Sequence, residues 1–395
     1  MSNDRHSRFK RRQWSMVHPQ SASDTERASV NVGNGHRVRE PRRGHSRDGR
    51  DTRNRRASGS FITFLLLLLV ILLVAATLML RGGYQRTTRE VVGERILFHR
   101  FPNEDTNNGN NLFGWASTVG LAELHGMKPC FSMMGVGENL HDSLELEGGE
   151  CKEREGLFER LQNRWFPNAE RSQNEAGYAV YQDFAIPSTA SRFTVTGYLQ
   201  SFRYFSKNVT GPGRIRFKEE IERRNSELVQ SVAKGRVTVG VHIRHSFEGD
   251  GRTVYLNFPP KGYFEGVLDH FREKHGQGNV VFVVTGDDVD YLRTSEWISG
   301  EEDVVAILND DERRKPMDDL AALAVCDNMV LTVGTFGWWA AFLSDLRNDH
   351  RGEVIYYSDM FNMEVHPNVG NVLESDHFPP HWISMDGRGL VVNAK

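Results

Sequence analysis

The alternation of apolar and polar positions changes character along the chain. Residues 1–60 carry few apolar side chains and show no period. Such a stretch buries too little surface to offset chain entropy, so it reads as disordered. Phe61 to Leu80 is apolar without a charge, relieved only by Thr63 and Thr77. As a helix this run spans about 30 Å, the hydrocarbon thickness of a bilayer. Residues 81–93 read as a short stem. The pattern is irregular from 94 to 235 and regular from 236 to 395.

In the regular part, strand and helix patterns take turns. Val237–Ile243 reads as a strand, and Phe264, Val267, Leu268 and Phe271 recur at helical spacing. Val280–Val284 is a strand, 289–297 a helix, and Val304–Leu308 a strand. Met317–Val325 is a helix, Met329–Val333 a strand, Trp338–Leu346 a helix and Val354–Tyr357 a strand. Short strands alternating with helices predict an α/β class with a mostly parallel, Rossmann-like sheet in 236–395. The stretch 94–235 is expected to form a second α/β lobe. Neither GxGxxG nor GxxxxGK[ST] occurs, so neither a common dinucleotide site nor a P-loop is indicated.

Charge is split unevenly. Residues 1–58 hold 15 Lys and Arg against 6 Asp and Glu, a balance of +9, while the whole chain carries −3, so the remainder carries −12. A basic arm of this kind suits nucleic acid or an anionic membrane surface. The apolar run beside it favours the membrane, and no nucleic-acid partner is expected. Arg53, Arg55 and Arg56 precede the run, so residues 61–80 predict a single-pass signal anchor with 1–60 cytoplasmic and the rest translocated. The sequon Asn208-Val209-Thr210 would then lie on the lumenal side, as a glycosylation site. Three cysteines allow at most one internal bridge. Cys130 with Cys151 closes a short loop and is the preferred pair. No cysteine–histidine spacing suggests zinc.

Ligands of open α/β sheets bind beyond the carboxyl ends of the strands. The first strand ends in His242-Ile-Arg244-His245, where alternation places His242 and Arg244 on one face. The next runs into Thr285-Gly-Asp287-Asp288, whose carboxylates either hold a ribose hydroxyl or cap the following helix. The fourth runs into Gly334-Thr335-Phe336-Gly337, a helix start with a hydroxyl available as its cap. A helix N-terminus beside an arginine is suited to a diphosphate. Each residue also has a structural reading: Arg244 in an ion pair, His242 in the core, Thr335 as a cap alone. Together at successive strand ends they point to a membrane-anchored enzyme using a nucleotide sugar.

Four stretches resemble the galactoside α-1,2-fucosyltransferases, glycosyltransferase family 11. NGNNLFGWAS at 108–117 resembles the family's GNxxFxxA motif. GYLQSFRYF at 197–205 resembles GYFQSxxYF, and VGVHIR at 239–244 the start of HxRRGD. DLAALAVCDNMVLTVGTFGWWAAFL at 319–343 resembles the DxALLxxCNxxIxTxGTFGxWxAYL signature almost throughout. FPPHW at 378–382 is similar to the family's tail.

The resemblance implies a GT-B-like fold of two facing lobes, GDP-fucose as donor, a galactose-terminated glycan as acceptor, and inverting transfer to the galactose 2-hydroxyl in the Golgi. It implies no required metal and no cofactor beyond the donor. Arg244 would hold the pyrophosphate, Thr335, Phe336 and Gly337 would bind the same phosphates, and Gly109 and Asn110 would approach from the other lobe. His242 is the nearest candidate base, with Asp250 and Asp287 as alternatives. One departure stands out: His245 occupies the place of the motif's second arginine, and Gly249-Asp250 comes later. It leaves open weak activity, a different donor, or an inactive relative that binds GDP-sugar or glycan; the acceptor is not given by the sequence, so another, as in protein O-fucosylation, stays open too.

Overall fold

The structure is a computed structural model that describes residues 69–70, 95–102, 107–131, 140–146, 170–205, 209, 215–245, 256–308, 314–362 and 372–393. The basic arm, the stem, Asn208, Cys151, Asp250 and, except for the helical Leu69 and Val70, the apolar run 61–80 lie outside these residues. Among the described residues no helix is long and apolar enough to cross a membrane. Residues 1–81 and 82–395 form separate units.

Within the second unit the elements run β1 (Ile96–Arg100), α1 (Asn108–Leu124), β2 (Lys128–Phe131), α2 (Leu140–Ser143), β3 (Leu144–Leu146), β4 (Glu170–Asn174), β5 (Arg192–Thr196) and β6 (Ile215–Phe217). They continue with α3 (Glu219–Ala233), β7 (Val237–Ile243), α4 (Lys261–His275), β8 (Val280–Gly286), α5 (Val289–Thr294), α6 (Glu296–Ser299) and β9 (Val304–Ala306). The last are α7 (Pro316–Ala324), β10 (Asn328–Leu331), α8 (Thr335–Arg347), β11 (Val354–Tyr357), α9 (Glu374–His377), β12 (Ile383–Met385) and β13 (Val391–Asn393).

The larger sheet has the order β13-β12-β11-β10-β7-β8-β9, with only β13 antiparallel. Counting from β7, its parallel strands lie in the doubly wound order 3-2-1-4-5-6. Helices cover it on both faces, which is why β8 is a near-continuous apolar run, while β7 is buried on both sides although Thr238, Gly240 and His242 alternate with its Val and Ile residues. Gly240 in β7 lets α7 and β10 close in, since a Cβ there would meet Met329 Sδ at 2.6 Å. The smaller sheet, β2-β1-β5-β4, is parallel throughout. Residues 94–235 thus contain a parallel sheet of their own, with β3 and β6 paired separately.

Helix α1 is buried on nearly every side from Asn108 to Ala122. Leu112, Phe113, Trp115, Ala116 and Val119 join the core of the larger sheet. Leu121 and Ala122 join that of the smaller sheet with Leu97, Phe193 and Val195. An apolar helix without a polar face belongs between layers, and here it is shared by two cores. Helix α3 is fixed to α7 through Asp318, which accepts from Arg224 and Asn225. Cys130 is disulfide-bonded, and Cys326 is a free, buried thiol.

Candidate functional site

The doubly wound order reverses between β7 and β10, and a crevice opens at the carboxyl end of such a point. The residues after β7 and β10 meet there. Thr332 Oγ1 donates to the His242 carbonyl at 2.9 Å and accepts from the Arg244 N–H at 3.3 Å. This fixes the exit of one strand to that of the other. Gly334 then turns the chain at φ +91°, and α8 begins.

Arg244 runs alongside this turn, its Cγ 4.0 Å from where a Cβ on Gly334 would sit. Its guanidinium is steered by Asp287, with Nε 3.2 Å from Oδ2. The same carboxylate accepts the His245 N–H at 2.8 Å. Asp288 N-caps α5 by accepting from the Tyr291 N–H, and lies 2.8 Å from His245 Nδ1. The Tyr291 amide, followed by His245, holds the Asp288 carboxyl below its ordinary value. His245 stacks on Tyr291 at 4.0 Å between centroids. Asp288 thus takes the capping role, while Asp287 orients an arginine, a role that neither reading of the acidic pair gave it.

His242 and Arg244 share a side of β7, but their exposure differs. Arg244 keeps a quarter of its side chain exposed, whereas His242 is 4% exposed and sits under Phe336, 5.1 Å between centroids. Gly337 is required there, because a Cβ would meet His242 Nδ1 at 2.7 Å. Burial lowers the His242 pKa to about 4, with Asp287 opposing and Arg244 reinforcing the shift. The ring is therefore neutral at neutral pH, in a setting unlike that of an exposed base.

From the other sheet, α1 arrives N-terminus first. A Cβ on Gly109 would lie 2.6 Å from Thr335 Oγ1 and 2.8 Å from the Phe336 nitrogen, so only glycine permits this approach. The Thr335 hydroxyl was expected to cap α8. Instead it donates to Asn110 Oδ1 at 3.0 Å, and Gly334 takes the N-cap position with no side-chain cap. The helix begins one residue earlier than a Thr335 cap requires: Thr335 is its first helical residue, so its hydroxyl is placed to reach across to Asn110. The starts of a 17-residue and a 13-residue helix thus face each other, concentrating two positive dipole ends beside Arg244.

The sequence left the supporting residues around this junction unassigned. Gln200 donates to Asn110 Oδ1 at 2.8 Å, and its carbonyl pairs with His377 Nδ1 at 2.8 Å. Trp338 Nε1 donates to the His377 carbonyl. Glu175, just past β4, accepts the N–H groups of Tyr198 and Leu199 at 2.8 and 3.0 Å. Burial pushes the Glu175 carboxyl up to about 7, against the amides of Leu199, Tyr198 and Gln200. Leu199 sits at φ +52° in this turn. Gln200 and His377 lie in or beside stretches singled out above, whereas nothing in the pattern marks Glu175. Gly109, Asn110, Thr335, Phe336, Gly337, His242, Arg244 and Asp287 therefore form one cluster, with Asp288 at its edge. Asn208 falls outside the described residues.

A doubly wound sheet with a capless helix and an arginine at its switch point belongs to the class of α/β folds that bind phosphorylated ligands. Residues 175–358, just under half of the chain, match the model of glycosyl transferase family 11. Galactoside alpha-(1,2)-fucosyltransferase 1 of Saimiri sciureus is 30% identical over 172 residues, 41% of this chain and 42% of the relative. Galactoside 2-alpha-L-fucosyltransferase Sec1 of Mus musculus is 35% identical over 130 residues, 31% of each. The chain thus spans less than half the length of these relatives in the matched region. Among solved structures, fucosyltransferase NodZ from Bradyrhizobium aligns with a TM-score of 0.40 and 16% identity, over 62% of this chain and 92% of that one.

Proposed function

We propose that this chain is an inverting galactoside α-1,2-fucosyltransferase that uses GDP-fucose, with a GT-B-like arrangement of two lobes, 94–235 and 236–395. One observation carries the reading: two long helices begin against each other beside Arg244 at the switch point of the sheet. Free N–H groups, converging dipoles and a guanidinium match a diphosphate and the charge that grows on it as it leaves. The family match and the names of the relatives supply the sugar and the linkage.

In this reading the galactose 2-hydroxyl oxygen attacks the anomeric carbon of fucose while the bond to the β-phosphate oxygen breaks. The electron pair leaves on GDP, and the hydroxyl proton passes to a base. Arg244, oriented by Asp287, stabilises the departing phosphate, and the start of α8 binds its oxygens. Gly109 and Asn110 close the other wall. His242 supports Phe336 and stays neutral. No metal or further cofactor takes part. Residues 61–80 anchor the chain in the Golgi membrane, with the transferase part and glycosylated Asn208 lumenal.

The test is transfer by the detergent-solubilised full chain from GDP-fucose to lactose, with and without EDTA. EDTA-resistant fucosylation at the galactose 2-hydroxyl is the expected result. Tethering of His245 to Asp288 in place of a second arginine favours a second reading, a GDP-sugar binder without this transferase activity. Saturable GDP-fucose binding with no transfer to lactose or other galactosides would select it.

A further inference from the structure

At the end of α8 remote from the candidate site, three side chains from different parts of the sequence converge. Asp345 lies in the last turns of α8 and is 2% exposed. His350 follows the helix, and its N–H bonds back to the Asp345 carbonyl at 2.9 Å. His381 arrives from the segment after α9. His381 Nε2 and His350 Nδ1 lie 2.6 and 3.0 Å from Asp345 Oδ2. The rings are nearly perpendicular, with centroids 5.1 Å apart. One ligand atom from each residue falls within 4.8 Å of the other two.

Hydrogen bonding alone accounts for only half of the carboxylate. Trp382 Nε1 also donates to Asp345 Oδ2, at 3.1 Å, so three nitrogens crowd one oxygen. Oδ1 is buried and accepts nothing among the described residues. A buried carboxylate oxygen without a partner is costly. The two ring nitrogens converge on Oδ2, where a cation would replace their hydrogen bonds, and a carboxylate that shifts toward the ion would bring Oδ1 to it as well.

We propose that Asp345, His350 and His381 bind one divalent transition-metal ion, of which Zn²⁺ is the best fit. Two imidazoles and a carboxylate leave the fourth tetrahedral position to water. Such a nitrogen-rich set selects against Mg²⁺ and Ca²⁺. The half-exposed histidines give the ion a path from solvent. Its role is a clasp. It ties the C-terminal segment to α8, and that segment carries His377, whose ring holds the Gln200 carbonyl. Ten residues of helix, about 15 Å, separate Asp345 from Thr335, so the ion takes no part in chemistry at the crevice. The proposal is independent of which donor the crevice binds.

The test uses the purified full chain stripped with a chelator. Zinc uptake is followed by titration calorimetry with ZnCl₂ and by elemental analysis, and the melting temperature is read across zinc concentrations. Wild type should take up one Zn²⁺ per chain, undisplaced by excess Mg²⁺, with a melting temperature that rises with zinc. His350→Gln and His381→Gln change exposed side chains and should fold. Each should weaken zinc binding by more than about 100-fold, beyond what residues outside a metal's direct ligands command. Two outcomes would overturn the proposal: no stoichiometric zinc on wild type, or equal uptake by wild type and the double variant.

Discussion

Gly109 and Thr335 are 226 positions apart in sequence, yet a single added carbon on Gly109 would sit 2.6 Å from the Thr335 hydroxyl. The two residues open α1 and α8, so this contact sets the spacing of the two helix starts. Gly109→Ala should wedge them apart. Overpacking of this kind costs about 1–3 kcal/mol. We expect a lower melting temperature and GDP binding weakened by an order of magnitude or more, read by calorimetry. A variant with wild-type affinity would show that the spacing does not matter to the ligand.

Arg244 is expected to contribute one charge-assisted bond to phosphate, about 1.5–3 kcal/mol. Arg244→Ala should therefore weaken GDP binding roughly 10- to 150-fold at unchanged stability. Asp287→Asn keeps the guanidinium but loosens its orientation, and should cost less. Equal losses for both variants would mean that Asp287 does more than orient.

Three buried imidazoles, His99, His242 and His377, have pKa values lowered to about 4, each chiefly by burial. Between pH 6.5 and 4 the unfolded chain binds protons at these sites that the folded chain does not. Stability should therefore fall as pH falls through this window. Denaturant midpoints at pH 7, 5.5 and 4.5 check this. A flat profile over that range would count against burial of the three rings.

Glu175 has the opposite sign. Its folded pKa of about 7 exceeds the ordinary 4.5, so the folded state holds an extra proton between those values. That contribution is present at low pH and is lost as pH rises through 7. Glu175→Gln removes the titration. The variant's stability relative to wild type should improve from pH 5 to pH 8, and parallel pH profiles would contradict it.

The legible part of the fold is the part with one simple period. From Val237 to Tyr357 the strand and helix patterns match the observed elements to within a few residues, because β7 alternates cleanly and β8 is a short continuous apolar run. Helix α1 carries no such mark. Buried by two cores, it lacks the polar face that would reveal a 3.6-residue period. Strands β12 and β13 are three residues each, too short for a pattern. At the site, Arg244 and Thr335 were legible from their place at strand ends. The exposure of His242 was not, because alternation gives the face of a strand and not what lies over it. Glu175 and the Asp345 group are assembled only by contacts distant in sequence.

Sharing of α1 between two cores bears on how a donor would enter. Two lobes joined by a slender linker swing like jaws, and a ligand then pays for their closure. Here α1 contributes to both cores, so a motion that parted the two sheets would expose Phe113 and Trp115 to water. Amide exchange in α1 should therefore be as slow as global unfolding.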